Sequence, residues 1–135
     1  MNDAAEAGAG PLAHVLIVEG CPIFSMELRL RLADMSCSIC GVVDNAIDAL
    51  VVARQTRPDV VIIGTLLQGH INGVETARLF ETLEIPVVHV STRSDAKPAH
   101  SASTAAPHEF VRKPLQGDEL ERMVSTALQQ SYPGH

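Results

Sequence analysis

The chain has 135 residues, of which 46% are hydrophobic and 19% charged, and its formal net charge at pH 7 is −6. This length suits one globular domain that builds its core without a metal or disulfides, and the acidic balance argues against nucleic acid as a direct ligand, because phosphate binding needs clustered lysine and arginine. The sequence holds no apolar run of the about 20 residues that a membrane span needs, and residues 1–10 lack the basic and apolar regions of a secretory signal. We therefore expect a cytoplasmic protein without membrane contact.

The amino-terminal half predicts an arm followed by two strand–helix units. Residues 1–12 are rich in alanine and glycine and indicate a flexible arm. The elements that follow alternate as strand, helix, strand and helix over residues 14–18, 22–35, 39–43 and 45–55. The first helix carries an apolar face at helical spacing, made of Phe24, Leu28, Leu32 and Met35. Asp44 is the predicted N-cap of the second helix.

The three cysteines are Cys21, Cys37 and Cys40. An odd number without a secretion signal favours reduced thiols over a disulfide framework. Cys37 and Cys40 have the spacing of a redox or metal pair, but they stand at a predicted strand, where positions three apart point to opposite faces. We therefore predict separate thiols there.

The carboxyl-terminal half continues the alternation. Residues 59–63 form a short β-branched apolar run, typical of a strand that is covered on both faces. After a loop over residues 64–73, the predicted elements are a third helix, strands over residues 85–91 and 109–112, and a last helix over residues 116–129. The third helix is expected to bury Val74, Ala77, Phe80 and Leu83, and the last one Leu120, Met123, Val124, Ala127 and Leu128. The proline- and serine-containing stretch 94–107 predicts a weak or irregular helix. The folded domain should cover residues 13–130, with a tail over residues 131–135.

The ends of the predicted strands carry the residues that point to a family. Glu19 and Gly20 follow the first strand, Gly64 follows the third, Ser91 ends the fourth, and Lys113-Pro114 follows the fifth. In an open parallel sheet, chemistry gathers just beyond these strand ends. Together with the Asn72-Gly73-Val74-Glu75 helix start and Phe110, three residues before the lysine, this succession resembles the receiver domain of bacterial two-component response regulators.

The resemblance spans residues 13–128 and implies a flavodoxin-like, CheY-like α/β fold. That fold is a three-layer α/β/α sandwich with a five-stranded parallel sheet in the order 2-1-3-4-5 and five helices, of which the fourth is weak or irregular here. In the family, two carboxylates after strand one and an aspartate at the end of strand three hold Mg²⁺, and that aspartate accepts a phosphoryl group. The lysine pairs with the phosphoryl oxygens, the strand-four hydroxyl moves toward them, and an aromatic residue switches.

The resemblance therefore divides the expected site into retained and lost positions. The retained ones are Glu19, Ser91, Phe110 and Lys113, and the lost ones are Gly20 and Gly64. Glycine cannot accept a phosphoryl group, and a single carboxylate is a poor Mg²⁺ site. We expect a pseudo-receiver without a cofactor, without a metal site and without catalytic residues. Natural loss and engineered substitution both fit the sequence.

Lys113 needs a partner if its ammonium group is partly buried. Glu19 is the carboxylate left at the strand ends, so the sequence predicts a Glu19–Lys113 ion pair across a vacant pocket, directly or through water. The alternative is that both side chains are simply solvated at the rim.

The expected function is signalling through protein–protein contact by a stand-alone receiver-like domain. The partner would be a sensor kinase or an output protein bound through the 94–130 face, or a second copy in a homodimer. A different class of function stays open: an anion sensor that uses the vacated strand-end crevice, with Lys113 favouring negative charge. Enzyme activity has no nucleophile–base pair to support it.

Overall fold

The computed structural model describes residues 13–65, 67–91, 109–112 and 115–129. The predicted arm, the predicted weak helix over residues 94–107 and the carboxyl-terminal tail lie outside the described residues. Five strands are described: β1 His14–Val18, β2 Ser38–Val43, β3 Val60–Gly64, β4 Val87–Ser91 and β5 Glu109–Arg112. The described helices are α1 Pro22–Asp34, α2 Ala46–Thr56, α3 Gly73–Thr82 and α4 Glu119–Gln129.

The strands form one parallel sheet in the order β2-β1-β3-β4-β5, which confirms the predicted flavodoxin-like α/β fold. β1 and β3 lie inside the sheet and are buried on both faces, as their continuous apolar sequences predict. One face of the sheet packs against α1 and α4, around Phe24, Leu28 and Val124. The other packs against α2 and α3, around Ala49 and Phe80. The described helices are too short and too polar to cross a membrane.

Three boundary predictions needed correction. The N-cap of α2 is Asn45, whose side chain accepts a hydrogen bond from the Asp48 N–H, and not Asp44. Leu83 is the C-cap of α3 and is 46% exposed, so it lies outside the core that it was expected to join. The last helix begins at Glu119 and not at residue 116, because Gly117 adopts a left-handed φ of 54° that interrupts a helix.

The cysteines are free thiols, as predicted. Cys37 packs into the core on the α1 side of the sheet, whereas Cys40 packs against the core on the α2 side. Burial raises the pKa of the Cys37 thiol, and the negative charge of Asp59 raises it further. The Cys37 thiol is therefore neutral at physiological pH and a poor nucleophile.

Arg31 joins α1 to the turn before α4. Its Nη1 donates to the carbonyl oxygen of Gly117 at 2.7 Å. The same Nη1 lies 3.6 Å from Oε2 of Glu121. The two helices on this face of the sheet are thus connected by a polar contact above their shared core.

The start of α3 is secured by a capping box. The Asn72 side chain accepts a hydrogen bond from the Glu75 N–H at 2.8 Å, and the Glu75 carboxylate accepts one from the Asn72 N–H at 3.1 Å. These bonds satisfy two N–H groups that would otherwise lack partners at a helix start. They also fix where the chain leaves the β3–α3 loop, directly beside the end of β3.

We expect Asn72→Ala to lower the free energy of unfolding by about 1 kcal/mol, because it removes the cap of α3. Urea denaturation would measure the loss. Gln55→Ala, at an exposed position of α2, is the control and should change the value by less than about 0.5 kcal/mol. Equal losses in the two variants would show that the capping box does not contribute to stability.

Candidate functional site

The carboxyl ends of the strands meet at one edge of the sheet. Val18 pairs with Ile63, so Glu19, which follows β1, lies next to Gly64, the last residue of β3. Gly64 in turn pairs with Val90, one residue before the end of β4. The parallel register therefore brings the predicted site positions of β1, β3 and β4 together.

Glu19 is the buried acid of this edge, with 4% of its surface exposed. Its N–H donates to the Val43 carbonyl oxygen at 2.9 Å, which fixes the backbone against β2. Its Oε2 accepts a hydrogen bond from the Cys21 N–H at 2.9 Å. A hydrogen bond to a carboxylate is stronger than one between neutral groups. The backbone that follows β1 thus turns so that the Cys21 N–H contacts the Glu19 side chain.

The Glu19 carboxylate fills the space above Gly64. A Cβ atom at position 64 would overlap Oε1 of Glu19, and it would lie 3.0 Å from Cδ and 3.3 Å from Oε2. Gly64 does not have the left-handed φ that favours glycine. Gly69 and Gly117 do have such a φ. A side chain at position 64 would therefore require the Glu19 carboxylate, the end of a flexible side chain, to move aside. The sequence predicted a vacant pocket at this position, but the Glu19 carboxylate occupies the space next to Gly64.

A second glycine packs directly onto the first. A Cβ atom at Gly73 would overlap the Gly64 carbonyl oxygen and would lie 2.8 Å from Cα of Thr65. The Gly73 N–H donates to the Thr65 carbonyl oxygen at 2.9 Å. The β3–α3 loop therefore closes tightly, and the start of α3 rests on the backbone at the end of β3.

Beside Glu19 lies a shallow crevice of about 320 Å³. Glu19, Asp44 and Asp48 supply carboxylates to its wall, and Gly20 and Ser25 also line it. Asp44 and Asp48 are exposed, whereas Glu19 is buried. The described part of the crevice is therefore acidic at neutral pH.

The structure brings three of the predicted positions together: Glu19, Gly20 and Gly64. The backbones of Ser91 and Phe110 are described as the end of β4 and the middle of β5. Lys113 lies outside the described residues, so the Glu19–Lys113 ion pair stays a prediction. Among the residues described, no group of three or more His, Cys, Asp or Glu side chains could hold a metal ion.

Two features were missed at the sequence level. One is the position of the Glu19 side chain, for which the sequence carries no signal. The other is a stripe of exposed apolar side chains on α1, made of Ile23 (82% exposed), Met26 (64%) and Leu30 (65%). The i, i+3, i+7 spacing of these residues was visible in the sequence. We call this surface the α1 stripe.

The sequence matches the response regulator receiver domain family over residues 15–125. The chain is a response regulator receiver domain. It is 26% identical over 121 residues to protein PilH of Pseudomonas aeruginosa, an alignment that covers 87% of this chain and 98% of PilH. It is 28% identical over 82 residues to the transcriptional regulatory protein AfsQ1 of Streptomyces coelicolor, covering 60% of this chain and 36% of AfsQ1.

Solved structures share the fold of the receiver domain. The signal receiver domain of a modulated diguanylate cyclase from Desulfovibrio desulfuricans G20 superposes with a TM-score of 0.79, at 30% identity and with 87% of this chain and 94% of that chain covered. The PhyR receiver domain of Erythrobacter litoralis gives a TM-score of 0.77 at 23% identity, with 94% and 98% covered. The family resemblance seen in the sequence is thus confirmed, and with it a place in two-component signalling.

We expect Gly64→Ala to lower the free energy of unfolding of the receiver domain by up to about 1 kcal/mol, because the new methyl group displaces the Glu19 carboxylate from its buried position. In a Glu19→Ala background most of this cost should disappear, leaving a coupling energy of about 0.5 kcal/mol between the two positions. Denaturant unfolding of the four proteins of the cycle measures it.

Gly41→Ala is the matched control, since its Cβ atom would press on Val52 Cγ1 at 2.9 Å and not on Glu19. Its cost should be the same with and without Glu19→Ala. If the cost of Gly64→Ala were equally insensitive to Glu19→Ala, the carboxylate would not be the group that excludes a side chain at position 64.

Proposed function

We propose that this receiver domain is a pseudo-receiver: it takes no phosphoryl group at the usual position and signals through protein–protein contact. The observation that supports this most directly is that β3 ends in Gly64, which presents no nucleophilic side chain, with the buried Glu19 carboxylate packed above it. We propose a non-enzymatic function, because the sequence offers no nucleophile–base pair at the strand ends and none is found among the residues described there.

The proposal follows from the chemistry that phosphoryl transfer requires. A covalent acceptor must present a nucleophilic atom, and the residue that ends β3 is a glycine. Glu19 is a poor substitute, because it is nearly inaccessible to solvent and its Oε2 is engaged by the Cys21 N–H. At the strand ends that the structure describes, neither the glycine that ends β3 nor the buried Glu19 therefore offers a phosphoryl donor an accessible nucleophile.

The same residues fit Mg²⁺ badly. The ion demands near-octahedral oxygen ligands, and Gly20 and Gly64 offer no side chain for it. The one buried carboxylate of the site, Glu19, is turned over Gly64 and is held by a backbone N–H. We therefore propose that Mg²⁺ binding is lost or very weak and that no cofactor takes part in the signal.

The α1 stripe supports the second half of the proposal. An α-helix on the surface of a sheet needs one apolar face, and α1 already buries Phe24, Leu28 and Leu32. The outward stripe leaves three further large apolar side chains in water. Contiguous apolar surface of this kind marks protein–protein contact sites. We propose that a signalling partner, a kinase or an output protein, contacts α1, while the 94–130 face stays a second predicted contact surface.

The anion-sensor alternative gains no support from the described residues. The crevice next to Glu19 is lined by three carboxylates, and their negative charge repels an anion. Lys113, which would attract one, lies outside the described residues. Contact with a protein partner is therefore the function that we favour.

We expect incubation with acetyl phosphate and Mg²⁺ to leave the intact mass of the protein unchanged, because no acceptor carboxylate is available. A receiver domain that retains the strand-three aspartate serves as the positive control in the same reaction and should gain one phosphoryl group. A stoichiometric gain of one phosphoryl group by this chain would refute the pseudo-receiver proposal.

We expect the double substitution Met26→Ser and Leu30→Ser to abolish capture of the partner from the native host, while changing the free energy of unfolding by less than about 1 kcal/mol, since both side chains are exposed. The matched control is Ile47→Ser and Val51→Ser, which removes two exposed apolar side chains from α2 on the other side of the sheet. Undiminished capture by the α1 variant would exclude the α1 stripe as the contact surface.

A further inference from the structure

A second concave surface lies at the opposite edge of the sheet, where α2 and α3 end. Its volume is about 540 Å³. Ala53, Pro58, Leu83 and Ile85 supply its apolar wall, and Arg54 and Arg57 its positive charge. We call it the amino-end groove. The strand-end site is at the other edge of the sheet, so the groove is a separate feature that the proposed function does not use.

Among the described residues, the groove combines cations without an ion-pair partner with partly exposed apolar side chains. Arg54 and Arg57 are exposed, and within the described residues neither guanidinium group forms an ion pair. Leu83 is nearly half exposed between them and β4. Arg57 also has a left-handed φ of 52°, at a helix end where glycine is the usual residue. The cationic side chain of Arg57 thus lines the groove, although the left-handed backbone conformation at this position favours glycine.

The chain enters the sheet beside this groove. The His14 N–H donates to Asp59 Oδ2 at 2.8 Å, and the Asp59 N–H donates to the His14 carbonyl oxygen at 2.8 Å. Asp59 itself lines the groove. β1 therefore starts next to a residue that lines the groove.

The segment that precedes β1 has the matching chemistry. Residues 1–12 contain Asp3 and Glu6 and no lysine or arginine, and they include apolar residues such as Leu12. An extended chain spans up to about 3.4 Å per residue, so both carboxylates are within reach of Arg54 and Arg57. Because the segment is tethered, even weak contacts are favoured by its high effective concentration.

We propose that residues 1–12 bind the amino-end groove of their own chain, with Asp3 and Glu6 against Arg54 and Arg57 and with apolar side chains on Leu83 and Ile85. The occupant is thus an acidic, partly apolar peptide. The segment covers surface between α2 and α3 that would otherwise be open to other proteins. This inference is independent of whether the strand-end site accepts a phosphoryl group.

The test compares the ¹⁵N-labelled full chain with a chain that lacks residues 1–12. Amide signals of Arg57, Leu83 and Ile85 should shift on deletion, and a synthetic peptide of residues 1–12 added to the truncated protein should move them back. Asp3→Asn with Glu6→Gln in the full chain should reproduce most of the shift. This variant also keeps the test decisive if the truncated protein does not fold.

The affinity of the peptide for arginine variants of the truncated protein tests whether Arg54 and Arg57 bind it. Arg54→Ala and Arg57→Ala should each weaken peptide binding roughly two- to fivefold, the range for exposed ion pairs, and added salt should weaken it further. Arg29→Ala, at an exposed position of α1, is the matched control and should leave binding unchanged.

Three results would overturn the proposal: no shift of the groove signals on deletion, groove signals of the Asp3→Asn and Glu6→Gln variant that stay where they are in the unchanged full chain, or shifts that depend on protein concentration. The last result would assign the groove to a second copy of the chain.

Discussion

The burial of the Glu19 carboxylate above Gly64 is the interaction on which the strand-end site depends. The carboxylate is held by the Cys21 N–H, and it lies in the space that a side chain at position 64 would otherwise enter. Gly73 then packs on the carbonyl oxygen of Gly64, so the start of α3 is positioned by the same strand end. Close packing of this kind tolerates little change in volume at any one of the three positions.

This arrangement connects the site to the proposed contact surface. Cys21, whose N–H holds Glu19, is also the N-cap of α1. The side chain of Cys21 does not cap the helix, so the acid of the strand end helps to anchor the residue from which α1 starts. The α1 stripe begins two residues later, at Ile23. The direction in which α1 leaves the strand end is therefore fixed in part by the hydrogen bond between the Cys21 N–H and the Glu19 carboxylate.

Much of the fold was predictable, because burial leaves a clear pattern in sequence. The apolar runs of β1 and β3 identified the inner strands, and the order of strands and helices identified the parallel sheet. The N-cap of α2 was placed one residue early, since aspartate and asparagine are equally good caps and stand side by side at Asp44 and Asn45. The rotamer of Glu19 was not predictable: a sequence shows which side chain is missing at Gly64, but not which neighbour moves into the space.

The contact between Arg31 and the Gly117 carbonyl oxygen, at 2.7 Å, has a mechanical consequence. Arg31 lies on the helix that carries the α1 stripe, whereas Gly117 lies in the turn before α4. This hydrogen bond therefore couples the helix that carries the stripe to the turn that introduces the last helix, across the layer that the two helices form on one face of the sheet.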